Sequence, residues 1–130
     1  MIVTPALLIT DDDRAFRETL RSVFEPRGFA TLLAADGLEA LRIVRSHAVH
    51  ILLLDMHMPQ LNGLETIRRL RESAVNVPCI LMSAKLDQEV VEAAKEERVF
   101  SILSKPFSVA TITNLVRDAL QQAYPGVGLR

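Results

Sequence analysis

Short apolar runs alternate along the chain with longer stretches whose apolar residues recur at helical spacing, and the alternation repeats five times. That rhythm predicts βα units around a parallel sheet. Ala6 to Thr10 reads as the first strand. Phe16, Leu20, Val23 and Phe24 then fall at i, i+4, i+7 and i+8, one stripe of a helix that stops near Pro26 and Gly28. Phe29 to Leu33 forms the second strand of this reading. Asp36 caps the next helix, which runs through Arg45 with Glu39 in capping-box position and Leu38, Leu41 and Val44 toward the core.

The run Ile51-Leu52-Leu53-Leu54 is apolar throughout, the character of a central parallel strand covered on both faces, and it breaks off at Asp55. Pro59, Asn62 and Gly63 mark a loop; Leu64, Ile67 and Leu70 pattern a third helix. Pro78 to Met82 and Val99 to Leu103 read as the last two strands. Between them Leu86, Val90, Ala93 and Ala94 pattern a helix, and Ile112, Leu115, Val116, Ala119 and Leu120 give the final helix a broad stripe before Pro125. Five strands and five helices result.

A chain of 130 residues suits one domain. Fifteen basic against sixteen acidic side chains leave a net charge of −1, so nothing supplies the broad positive field that direct nucleic-acid binders use. The apolar runs are far short of a membrane span, and the start lacks the basic and apolar regions of a signal peptide; a cytoplasmic location is expected. The single cysteine, Cys79, has no partner for an internal disulfide and reads as a buried strand residue.

In an open α/β sheet, ligands bind beyond the carboxyl ends of the strands, where loops diverge and helix N-termini point outward. The residues that follow the strands are Asp11, Asp12 and Asp13 after the first, Asp55 after the third, Ser83 after the fourth and Lys105 after the fifth. Clustered carboxylates repel one another, and a metal resolves the conflict. Hard oxygen ligands without His or Cys suit magnesium, with Lys105 as a point charge and Ser83 as a hydrogen-bond donor for a phosphate. A carboxylate in that setting can itself be a nucleophile, and Asp55 is the best placed.

These residues resemble the receiver domain of two-component response regulators, of the chemotaxis-regulator kind, over about Leu7 to Ala123. Four segments carry the resemblance: Leu7-Leu8-Ile9-Thr10-Asp11-Asp12-Asp13; Leu53-Leu54-Asp55-Met56-His57-Met58-Pro59 with Asn62-Gly63; Met82-Ser83-Ala84; and Ser104-Lys105-Pro106-Phe107. The resemblance implies a flavodoxin-like three-layer sandwich with a five-stranded parallel sheet of order 2-1-3-4-5. It implies that Asp11, Asp12, Asp55 and the backbone carbonyl of His57 hold Mg2+. Asp55 would accept a phosphoryl group from a histidine kinase or histidine phosphotransfer protein, Ser83 and Lys105 would contact it, and the Lys105-Pro106 bond would be cis. It further implies that His57 and Lys85 tune hydrolysis of the acyl phosphate, and that Ser83 and position 102 form the switch.

Two positions depart from the family pattern. Ile102 stands where Tyr or Phe is usual, with Phe100 on the same face of the strand by alternation. Glu96-Glu97-Arg98 stands where a glycine turn is favoured. The expected role is therefore a signalling switch that alters only its own phosphorylation state and reports to a downstream protein effector, with phosphorylation-dependent dimerisation left open. A receiver-like interaction module independent of phosphorylation is the alternative, favoured by Ile102. An aspartyl phosphohydrolase would carry a second aspartate two residues after the nucleophile, where His57 stands. Residues 1–124 form the receiver unit of this reading and 125–130 a short tail or linker remnant. Outside the site, Asp13 reads as a helix cap, His47, His50 and His57 as surface histidines, and Arg68, Arg69 and Arg71 as a solvated helix face.

Overall fold

The computed structural model describes residues 4–126, so residues 1–3 of the expected receiver unit and 127–130 of the expected tail lie outside the described residues. The elements run β1 Ala6–Thr10, α1 Arg14–Phe24, β2 Ala30–Ala34, α2 Gly37–Ser46, β3 Ile51–Asp55, α3 Gly63–Glu72, β4 Cys79–Ser83, α4 Gln88–Glu96, β5 Ser101–Ser104 and α5 Val109–Ala123. All strand pairs are parallel and their order is β2-β1-β3-β4-β5. This is the flavodoxin-like arrangement the pattern and the resemblance predict.

Strand alternation divides the core in two. Leu7, Ile9, Ile51 and Leu53 pack with Leu20 and Phe24 of α1 and Ile112 and Val116 of α5. Leu8, Leu52 and Leu54 pack with Leu41 of α2 and Ile67 and Leu70 of α3. The four apolar residues of β3 are fully buried because both faces of the central strand are covered. Each such side chain contributes about 1.5–3 kcal/mol of burial.

Each α-helix of the described residues begins on a side-chain cap: Asp13 accepts from Phe16 N, Asp36 from Glu39 N, Asn62 from Glu65 N, Asp87 from Val90 N and Ser108 from Thr111 N. The reciprocal capping box forms at Asn62 and Glu65; at Asp36 and Glu39, where the sequence suggested one, the bond is one-way. Four further expectations are corrected. β2 starts at Ala30, because Phe29 turns into the core edge-on to Phe24, with ring centroids 5.4 Å apart. Leu38 is 40% exposed, since Ala40 and Leu41 supply the buried side of α2. β5 starts at Ser101, because Val99 completes the turn that ends α4. Phe100, outside that strand, packs on the α1–α5 side, whereas Ile102 packs on the α2–α4 side.

Three helix ends share one device. Phe29, Val75 and Val99 donate back to the carbonyls of Phe24, Leu70 and Ala94, while Gly28, Ala74 and Arg98 donate to Glu25, Arg71 and Lys95. This double bond pattern requires a left-handed residue, and φ is 96° at Gly28, 60° at Ala74 and 56° at Arg98. Arg98 thus fills the glycine position of the α4 turn with a residue that has a Cβ. For such residues the left-handed conformation costs about 1–2 kcal/mol. Ala74 is exposed, which makes it the clean test. Ala74→Gly is expected to stabilise the protein by about 0.5–1 kcal/mol after the added unfolded-state entropy is subtracted. A denaturation midpoint equal to or below that of the native chain would contradict this account of the turn.

Candidate functional site

β1 and β3 pair side by side, with Thr10 opposite Leu54, so the residues that end them meet at the carboxyl edge of the sheet. Carboxylate oxygens of Asp11, Asp12 and Asp55 lie within 4.8 Å of one another. Asp11 and Asp55 are buried, at 1% and 5% exposure, while Asp12 is exposed. Asp11 is held by its own loop: Asp13 N donates to its Oδ1 at 2.9 Å, and Arg17 of α1 donates to its carbonyl at 2.7 Å. The α3 side of the loop is fixed by Gly63, whose N–H donates to Met56 O at 2.9 Å. A Cβ at Gly63 would come within 2.7 Å of both the Asp55 carbonyl and Leu81, so only glycine allows this close return.

From the end of β5, Lys105 reaches across the edge. Its Nζ lies 2.7 Å from Asp11 Oδ2 and 3.4 Å from Asp55 Oδ1. The Lys105-Pro106 bond is cis, as the resemblance implied, and Lys105 N donates to Ser83 O at 2.8 Å. The Ser83 side chain is buried and fully engaged. Its Oγ is 3.3 Å from His57 Nε2, 3.0 Å from the carbonyl of Lys85 and 3.1 Å from the amide of Lys85.

Burial is the main cause that holds the Asp55 carboxyl above the ordinary carboxylate range, and the Asp11 carboxylate adds to it. Lys105 and the His57 amide act in the opposite direction. One ammonium faces three carboxyl groups, so the cluster holds more acidic than basic side chains. Oxygen donors alone, packed closely and short of positive charge, match the preference of a hard divalent cation such as magnesium.

The structure thus brings Asp11, Asp12, Asp55 and Lys105 together, with Ser83, His57 and Lys85 beside them. Ile102 stands apart, half-buried beside Leu81 on the α2–α4 side. Two bland readings need correction. His50 is half-buried and its Nδ1 accepts from Ala6 N, while Arg71 donates to the carbonyls of Val75 and Val77. Cys79 is buried as expected, its thiol pushed up to about 11 by burial against the opposing pull of Arg71. Sequence reasoning missed three contributors. Arg17 grips the Asp11 carbonyl, Phe16 turns its ring face to the Lys105 ammonium, and Phe107 meets Phe16 edge-on. The first two lie in the opening turn of the helix that follows the acidic run, a place where side chains return to the loop before them.

Fold and site together define a parallel α/β domain with an acidic cluster and one lysine at the carboxyl edge of its sheet. The family model of the response regulator receiver domain matches residues 7–117, and the chain belongs to that family. It is similar to sporulation initiation phosphotransferase F of Bacillus subtilis, 34% identical over 119 residues that cover 92% of this chain and 93% of that protein. It is also similar to response regulator MprA of Mycobacterium sp. (strain KMS), 33% identical over 122 residues. There the match covers 94% of this chain, which spans about half, 53%, of that relative's length. Among solved structures, the receiver domain of Francisella response regulator 1452 is 30% identical with a TM-score of 0.86, covering 92% of this chain and 99% of that one. A CheY-like receiver protein from Methanospirillum hungatei, 18% identical with a TM-score of 0.88 and coverage of 92% and 96%, shares the fold.

A carboxyl whose folded-state value is raised binds its proton more tightly folded than unfolded. Stability is therefore lost as pH rises from the ordinary carboxylate value through the folded one. In metal-free buffer at neutral pH, Asp55→Asn is expected to raise Tm by about 2–5 °C. The gain should shrink as pH falls and level off only below the ordinary carboxylate value of about 4, where Asp55 is protonated in both states. A Tm difference independent of pH would count against burial and charge crowding as the cause.

Proposed function

We propose that this receiver domain is a phosphorylation switch in which Asp55 takes a phosphoryl group from a phosphohistidine donor in a magnesium-dependent reaction. The observation that carries the reading is the Lys105 ammonium between Asp11 and Asp55, 2.7 and 3.4 Å from their oxygens, on a buried acidic cluster. Asp11, Asp12 and Asp55, with the backbone carbonyl of His57, would hold the Mg2+. When bound, the cation supplies the positive charge that lets carboxylates and a phosphoryl group share one site. A carboxylate oxygen of Asp55 forms the new bond to phosphorus as the donor's phosphorus–nitrogen bond breaks, and the imidazole leaves with that electron pair. Lys105 and the Ser83 hydroxyl meet the non-bridging oxygens.

The donor in this reading is a histidine kinase or a histidine phosphotransfer protein. The chain catalyses only its own phosphorylation and dephosphorylation and reports, in the cytoplasm, to a downstream protein effector. Residues 1–124 act as the receiver unit and 125–130 as a tail or linker remnant. The added charge and acceptor oxygens bias a two-state surface through Ser83. A phosphorylation-independent interaction module is the competing reading, favoured by Ile102 in place of the usual ring.

Incubation with a small-molecule acyl phosphate and magnesium is expected to add one phosphoryl group by intact mass. Omission of the metal, or Asp55→Asn, should abolish the adduct. No adduct under any condition, together with no magnesium binding, would transfer support to the interaction module. In this reading His57 and Lys85, which both bond to Ser83 Oγ, through the imidazole and the backbone respectively, would stand beside the phosphoryl oxygens and hinder an attacking water. Replacement of both by alanine should therefore shorten the lifetime of the adduct severalfold, and an unchanged decay rate would remove their tuning role.

A further inference from the structure

Lys105 has one contact that the phosphoacceptor reading does not use. Its Nζ stands 4.2 Å from the centroid of the Phe16 ring, and Phe107 meets that ring edge-on, at 5.9 Å and 75°. Phe16 lies in the first turn of α1, and Phe107 follows Lys105 by two residues. The ammonium has three N–H groups and two carboxylate oxygens beside it, which leaves one side to the face of the ring.

The core alone does not explain this ring. Leu20 and Phe24, at 3% and 0% exposure, carry the burial of the α1 stripe, and an aliphatic side chain at position 16 would complete it equally well. Phe16 is only half-buried and turns its face to a cation. We propose that Phe16 is a positioning residue for Lys105, an aromatic seat braced by Phe107 that keeps the ammonium beside Asp55 when the acidic cluster is engaged elsewhere.

The need for such a seat follows from competition, and it rests on the proposed phosphoacceptor function. The shortest tether of Lys105 is to Asp11, one of the carboxylates expected to hold the magnesium. With a divalent cation on that carboxylate, the ion pair weakens, because two positive groups then share one anion. The ring is uncharged, ligates no hard cation and keeps its attraction for the ammonium. Lys105 then stays in place to meet a phosphoryl oxygen on Asp55.

The full chain is compared with Phe16→Leu and Phe16→Tyr by three readings: thermal unfolding, the NMR shift of the Lys105 ε-methylene protons, and the rate of adduct formation from an acyl phosphate at saturating magnesium. Phe16→Leu should keep its Tm within a few degrees and its magnesium affinity within about twofold. It should lose the ring-current displacement of the ε-methylene and take up phosphoryl about fivefold more slowly. Phe16→Tyr should restore both. A native rate in Phe16→Leu, or a Tyr variant as slow as the Leu variant, would overturn the seat. If the native chain forms no adduct, the phosphoacceptor reading fails on that result. The ε-methylene shift in the Leu and Tyr variants, measured with and without magnesium, then decides separately whether the ring holds the lysine.

Discussion

The constraint on which the site depends is the crowding of carboxylates at the edge of a buried parallel strand. Asp55 is the last residue of a strand with no exposed position, and Asp11 follows its neighbour in the sheet. Neither can move away from the other without breaking the β1–β3 ladder. Lys105 relieves part of the repulsion, but one ammonium cannot neutralise three carboxylates. A protein selected for stability alone would place neutral residues here, as burial of unbalanced charge is among the costliest arrangements available. Folding stability is spent on a site that a cation and an anion can complete.

The remaining architecture protects that arrangement from relaxing. Gly63 lets α3 begin almost against the backbone of Asp55, which closes off one side. Asp13 caps α1 and also donates its amide to Asp11, and Arg17 ties the Asp11 carbonyl to the same helix. Lys105 enters with its backbone bonded to Ser83, so the lysine and the hydroxyl are set in register by the β4–β5 ladder. The residues at four strand ends are thus held largely through their backbone, with the Asp11 carboxylate fixed in addition by the Asp13 amide.

Much of this was legible in the chain. The apolar runs and helical stripes located the five strands and five α-helices of the described residues, and the polar residues at or just beyond the ends of β1, β3, β4 and β5 were found because ligand sites on such sheets lie at that edge. What escaped depends on three-dimensional closeness. Phe16 looked like one more member of an apolar stripe, because periodicity reports the face of a helix and not what a ring meets at its end. Phe100 and Ile102 were assigned to one face by alternation. The strand starts only after the left-handed turn at Arg98, and the two residues pack on opposite sides of the sheet. Leu38 was misassigned because a stripe read from large side chains ignores Ala40, which lies fully buried.

Ile102 raises the question of how a phosphoryl group on Asp55 would be felt elsewhere without the usual ring. The hydrogen bonds of Ser83 offer a route that needs none. Its hydroxyl is shared among His57 Nε2 and both backbone groups of Lys85, at 3.0 to 3.3 Å. A hydroxyl has one proton to donate, so a bond from Ser83 to a phosphoryl oxygen must be withdrawn from one of these partners. The Lys85 carbonyl is one of the acceptors open to that loss, whereas the Lys85 amide donates to the hydroxyl and does not compete for its proton. Leu86, the one residue between Lys85 and the Asp87 cap of α4, is exposed. Segments with few buried contacts are the ones that rearrange at low cost. In the proposed switch, the loop leading into α4 responds first. Ile102, half-buried against the same side of the sheet, then accommodates α4 by packing and has no need to rotate into a vacated space.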